Sequence, residues 1–465
     1  QHQEYHSIVQ FLTGLSIAPK YLDLFPMALF QRIVVAALIL HLGVNAHDHD
    51  VDQATSFVDT WTETTRVPYK ISDHTANTIG DKIFLAGGCD GDQTLDPVSG
   101  FASCDSVSTK VAVFSPATRT WSTDVPAAPR ARFRHASASI GTKLYLIGGR
   151  DVADNLVAEV DVLETSDLTW YTLSATQASP RSDHDAFTVA GDPRLFVVGG
   201  YDAAYAAVAT VDVLTPDDSG GGAWVLGSSA GASVPPMTTA RGDCGVVEHG
   251  GKVYVLGGWP STFCAPFTKV EAYDPAANTW ADAPSLLVGR GDKATGVLNG
   301  RIFVIGGETR LDCTGSKGAD PVNEVEVLDV DAGAAAWAYV GPLPDDKFRF
   351  ASATYGDSIY VFGGQGNLTY CHDLDKVCNP VTDHTWAFTE SVQEHEHDVD
   401  DDVEKGEGPW MLVGIVFICL LGAAAIAAVV FFFNKRAVKN DRDQAIKSHF
   451  KEHGTQLTQD VEGRL

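Results

Sequence analysis

Apolar positions recur along this chain in a fixed grammar. Four-residue runs of uncharged aliphatic or aromatic side chains end in Gly-Gly six times: IFLAGG (83–88), LYLIGG (144–149), LFVVGG (195–200), VYVLGG (253–258), IFVIGG (302–307) and IYVFGG (359–364). The doublets are Gly87 and Gly88, Gly148 and Gly149, Gly199 and Gly200, Gly257 and Gly258, Gly306 and Gly307, and Gly363 and Gly364, spaced 49 to 61 residues apart. A short run without charge predicts a strand buried on both faces. Turn residues precede the runs, as at Gly80-Asp81, Gly141-Thr142, Asn299-Gly300 and Gly356-Asp357. They predict tight hairpins, so a further antiparallel strand stands before each run. After each doublet come a variable loop and another apolar run, such as VAVF (111–114), VDVL (160–163), VDVL (211–214), VEAY (270–273) and VEVL (325–328). A tryptophan follows 10 to 13 residues from the start of that run: Trp121, Trp170, Trp224, Trp280 and Trp337. Trp386 ends the sixth unit, and an N-terminal half-unit carries Trp61.

Four short strands per unit, one glycine pair and one tryptophan, six times in order: the pattern over residues 51–388 resembles the kelch repeat. The resemblance implies an all-β fold, a six-bladed kelch β-propeller with one four-stranded blade per unit. Gly-Gly then lets backbone from the next blade approach closely, and the tryptophan fills space between blades. Trp61 and Trp386 compete for one place in the last blade. Trp61 is favoured, because Cys378 and Pro380 interrupt the third strand expected of the sixth repeat.

Two longer apolar stretches break the repeat. Residues 27–46 carry one basic residue, a short apolar core and small residues before Ala46, which predicts a secretory signal peptide. Residues 1–26 before Met27 read as a non-native N-terminal extension. Residues 410–433 are 24 uncharged residues, long enough for one transmembrane helix across a hydrocarbon core of about 30 Å. Asn434, Lys435, Arg436 and Lys439 follow it, which places the 434–465 tail on the cytoplasmic side of the lipid bilayer. The expected protein is a single-pass type I membrane protein of the secretory pathway or cell surface. Residues 389–409, with EHEHDVDDDVEKGEG at 394–408, read as an acidic juxtamembrane stalk.

Charge and cysteine content sharpen this picture. The formal net charge of −27 excludes nucleic acid as a partner, since a polyanion is held by lysine and arginine. In an oxidising lumen the cysteines pair. The expected bridges are Cys89–Cys104, Cys244–Cys264 and Cys371–Cys378, with Cys313 left over. Asn367-Leu368-Thr369 is a glycosylation sequon.

The sequence also spells RGD twice, at 241–243 and 290–292. Aligned on the doublets, these triplets share a slot with Ile71-Ser72-Asp73, Arg132-Phe133-Arg134, Arg181-Ser182-Asp183 and Lys347-Phe348-Arg349. RGD is therefore read as repeat grammar at the entry to the innermost strand, its arginines and aspartates pairing with one another, rather than as an adhesion motif. The same slot predicts a ring at the channel mouth: Asp73, His74, Arg134, His135, Asp183, His184, Asp243, Asp292 and Arg349. Structural pairing is weighed there against a polar ligand site.

No Walker loop, nucleophile elbow or HExxH motif is present. The HDHD at 47–50 puts His49 third after the expected cut, a spacing that suits Cu(II) or Ni(II). No catalytic residue, cofactor or metal is assigned. The expected function is binding of a protein or glycan ligand through the loop face, built by Asp90–Ser106, Pro260–Thr268 and Glu308–Val322. The alternative is a galactose-oxidase-like or sugar-isomerising enzyme working at the channel mouth.

Overall fold

The computed structural model describes residues 56–95, 102–217, 219–309, 320–367, 369–371 and 376–393. The stretches 27–46 and 410–433, the HDHD segment and the stalk acids lie outside these residues. Among the described residues no helix is long and apolar enough to cross a membrane.

Among the described residues, six of the four-stranded antiparallel sheets form successive blades. The first comprises Thr75–Ile79, Lys82–Ala86, Val111–Ser115 and Thr120–Ser122, ordered from innermost to outermost. In each sheet the second strand is the run before Gly-Gly. Its residues are almost wholly buried, because the neighbouring blades cover both faces. Each innermost strand touches the innermost strands of its two neighbours. The circle closes between Thr75–Ile79 and Ala351–Tyr355.

The sixth blade takes strands from both termini. Its order is Ala351–Tyr355, Ser358–Phe362, Thr385–Gln393 and finally the N-terminal strand Ser56–Glu63. Trp61 is thus the tryptophan of this blade. Its Nε1 donates to the Gly341 carbonyl at 3.0 Å. The other five tryptophans do the same to the preceding unit, as Trp121 does to Thr65 and Trp280 to Pro235. Trp386 is no repeat tryptophan, contrary to its place in the sequence pattern. It lies on the third strand, opposite Val361. That third strand is intact. Cys378 belongs instead to a small extra sheet, in which Lys376–Asn379 pairs with Gln93–Leu95 from the loop after the first Gly-Gly.

Two further sequence expectations are corrected. Cys89–Cys104 is a disulfide, but Cys244 is a free thiol, so the Cys244–Cys264 pairing does not occur. Cys244 sits in the buried interface between two blades, whereas Cys264 lies out in a loop and is disulfide-bonded elsewhere. Cys378 is also disulfide-bonded, and the side chain of Cys371 lies outside the described residues.

Candidate functional site at the mouth of the axial channel

Chain direction alternates within a blade. The loops after Gly-Gly and the connections between blades therefore share one end of the propeller, and the hairpin turns occupy the other. The aligned triplets enter the innermost strands at the loop end. Their three positions have three different jobs.

The first position is buried. Arg132, Arg181, Arg241 and Arg290 are at most 2% exposed. Each guanidinium donates to the carbonyl of the first glycine of its own doublet and to a carbonyl before the third strand. For Arg290 these are Gly306 at 3.2 Å and Glu324 at 3.0 Å. Each also meets an acid on that strand: Arg132 with Asp161, Arg181 with Asp212, Arg241 with Glu271 and Arg290 with Glu326. The triplet arginine therefore does not pair with the triplet aspartate, as the sequence reading expected. The acids fall one residue into VDVL, VEAY and VEVL, a signal that was available in the sequence. Blade one confirms the coupling, since Ile71 stands where arginine would and Ala112 where the acid would. In blade six Lys347 replaces the arginine and Trp386 the acid.

The middle position pairs with the residue after Gly-Gly of its own blade and packs on its counterpart in the preceding blade. Where that neighbour is Arg150 or Gln365, the middle residue is a serine accepting its hydrogen bond. Where it is Cys89, the middle residue is Phe133, packed beside it. Where it is Tyr201 or Trp259, only glycine fits. A Cβ on Gly242 would lie 2.2 Å from the Tyr201 ring, and one on Gly291 would lie 2.2 Å from Trp259. RGD is spelled at the two places where the preceding blade supplies a large aromatic. Gly291→Ala is accordingly expected to destabilise the fold by roughly 1–3 kcal/mol through overpacking. Paired with Trp259→Ala it should recover part of that loss, which thermal melts of the four proteins of the cycle would read.

The third position faces the axis. Asp73, Arg134, Asp183, Asp243, Asp292 and Arg349 all have φ between 49° and 55°. This left-handed conformation is uncommon for side-chain-bearing residues. It lets each backbone N–H donate to the carbonyl of the previous blade's equivalent residue, at 2.8–3.3 Å, so that six hydrogen bonds close a ring around the channel. Arg134 lies 3.6 Å from Asp73 and 3.5 Å from Asp183. Arg349 lies 3.7 Å from Asp73 and 3.1 Å from Asp292. All nine residues expected at the channel mouth line one cavity of about 110 Å³, together with Cys244 and Phe350.

The imidazoles have a second role that the alignment did not reveal. His135 and His184 pack where the first glycine of the preceding doublet lacks a Cβ: a Cβ on Gly87 would lie 2.6 Å from His135, and one on Gly148 would lie 2.5 Å from His184. Cys244 and Phe350 fill the same place against Gly199 and Gly306. Burial pulls the pKa of His74 and of His184 down to about 3, so these rings are neutral. Burial, then Asp292 and Asp183, pushes the carboxyl of Asp243 well above its usual range. Tyr201, which no sequence signal pointed to, donates its hydroxyl to Asp243 Oδ2 at 2.8 Å.

A closed ring of six such blades is a kelch-type β-propeller. The model of the KLHDC2/KLHL20/DRC7 Kelch-repeats domain matches residues 74–307, half of the chain, which belongs to the kelch-repeat family. Human Kelch-like protein 34 is 27% identical over 232 residues, 47% of this chain and 32% of that protein. The mouse Rab9 effector protein with kelch motifs is 31% identical over 159 residues, 33% of this chain and 38% of that protein. The chain thus spans under half the length of these curated relatives. A solved structure, that of YjhT, superposes with a TM-score of 0.53 at 14% identity, covering 71% of this chain and 99% of its own, and shows the shared fold.

Proposed function

We propose that this protein is a membrane-anchored kelch propeller that binds a protein ligand through its loop face, on the extracellular or lumenal side. The anchor and the topology are read from residues 27–46 and 410–433. The Cys89–Cys104 bridge, in a loop of the proposed face, agrees with an oxidising compartment. Protein binding is the coarser common property of such propellers, and one matched relative is by name an effector of Rab9.

One observation carries the choice of face. Three consecutive blades present an aromatic and apolar ridge from their post-Gly-Gly loops. Val152 is 66% exposed. The Arg150 guanidinium stacks 3.8 Å above the Tyr205 ring, whose hydroxyl donates to Asp154. Phe263 packs 5.0 Å from Tyr201. Asp154, Tyr205 and Phe263 all hold positive φ, and Tyr205 is oriented by its bond to Asp154 and its stack with Arg150. Tyrosine and arginine are among the residue types that dominate binding energy at protein interfaces.

Binding of the full-length protein to its cell-surface partner should fall at least about tenfold in Val152→Asp and in Tyr205→Ala, as expected for anchor residues. The thermal midpoint of Val152→Asp should stay unchanged. Undiminished binding in both variants would remove the ridge from the interface.

A further inference from the structure

The axial ring is not electrically closed. Four carboxylates, Asp73, Asp183, Asp243 and Asp292, face two guanidinium groups, those of Arg134 and Arg349. Both arginines flank Asp73. On the opposite side Asp183, Asp243 and Asp292 stand in sequence with no arginine between them, one oxygen from each lying within 4.8 Å of the others. Behind the ring, Lys293 donates to the Asp243 backbone carbonyl at 3.2 Å rather than to a carboxylate. With all four aspartates ionised, the ring carries two more negative charges than its two arginines supply.

A second observation points to a ligand. Asp183 has a side chain only 6% exposed and lines the cavity, yet its Oδ2 is buried without a hydrogen-bond partner. A buried carboxylate oxygen is costly to leave unpaired. The Asp243 carboxyl can bond to Asp183 only by holding a proton, which a cation would displace.

We propose that Asp183, Asp243 and Asp292 hold one calcium ion at the mouth of the axial channel. A cation of charge two cancels that excess. Carboxylate oxygens suit hard cations. Calcium–oxygen bonds of about 2.4 Å span oxygens up to about 4.8 Å apart, whereas magnesium at about 2.1 Å would need them closer and in a stricter octahedron. The cavity has room for the waters that complete the coordination shell. The backbone ring holds the three aspartates in register, so the ion would tie blades three, four and five together.

The test uses the full-length chain, stripped with a chelator. Terbium, which takes calcium's oxygen ligands, is added and its emission is excited through protein aromatics. Tyr201, bonded to Asp243, is the nearest antenna. The expected result is sensitised emission displaced by calcium with a Kd of about 10⁻⁴–10⁻³ M, the range of extracellular calcium modules, and less readily by magnesium. Asp243→Asn and Asp183→Asn should each weaken calcium at least about tenfold. Each should also melt above the stripped wild type, because carboxylate repulsion is relieved, and calcium should no longer raise that midpoint. Neutralising the acids of residues 394–408 should leave the emission intact. Emission that survives both aspartate variants, that disappears only with the 394–408 variant, or that calcium fails to displace would overturn the proposal.

Discussion

Deleting Ser56–Glu63 from the full chain is expected to abolish cooperative folding of the propeller. Those eight residues form the outer strand of blade six and pair in register from Ser56 with Gln393 to Glu63 with Trp386. Without them Thr385–Gln393 becomes an open strand edge, a template for aggregation. Trp61 would be lost as well, with its ring 5.0 Å from Phe388 and its hydrogen bond to Gly341. Truncating a packed aromatic alone costs about 3–5 kcal/mol. That is a large part of the roughly 5–15 kcal/mol by which domains are stable. Loss of the strand's other contacts adds to it. Expression yield and limited proteolysis read the outcome. A deleted chain that is expressed normally, resists protease and melts in one sharp transition would show that the ring closes without its N-terminal strand.

The second large effect concerns the buried arginines. Arg290→Met should destabilise the propeller by roughly 3–5 kcal/mol, because it leaves Glu326 buried and unpaired. Glu326 also accepts from the Leu287 and Val288 amides at 2.6 and 3.1 Å, so it is held in place and cannot swing to solvent. Arg290→Ile combined with Glu326→Ala should cost less than Arg290→Met alone. Blade one already carries that solution as Ile71 with Ala112. Denaturant unfolding of the single and double variants gives the comparison. A single variant within about 0.5 kcal/mol of wild type, the usual range of surface substitutions, would contradict the buried pair.

The repeat itself was legible because its physics is local. Gly-Gly after an uncharged run, a turn before it and a tryptophan beyond the third strand follow from steric and burial requirements within one unit. The buried arginine and its acid were legible in principle, since both vary together between repeats. What could not be read were properties of blade boundaries. Gly242 and Gly291 are set by Tyr201 and Trp259 in the preceding unit, and His135 and His184 by glycines in theirs. Closure of the ring through Trp61 was favoured from the sequence and holds, but not for the reason given there: the third strand, Thr385–Gln393, is intact and carries Trp386. Trp61 and Trp386 look equivalent along the chain and differ only in which strand they pair from. The Cys244–Cys264 pairing failed because nearness in sequence says nothing of depth. The ring of nine residues does converge on one cavity, but its imidazoles pack between blades while its carboxylates face the axis.

Under the proposed function, recognition belongs to the loop face, while the RGD triplets belong to the architecture. Position-resolved photo-crosslinking on intact cells tests this most directly. The full-length protein would carry the crosslinker at Val152 on the loop face or at the exposed Asp81 in a hairpin turn of the opposite face. One discrete adduct is expected from Val152 and none from Asp81. The same adduct from Asp81, with none from Val152, would contradict it.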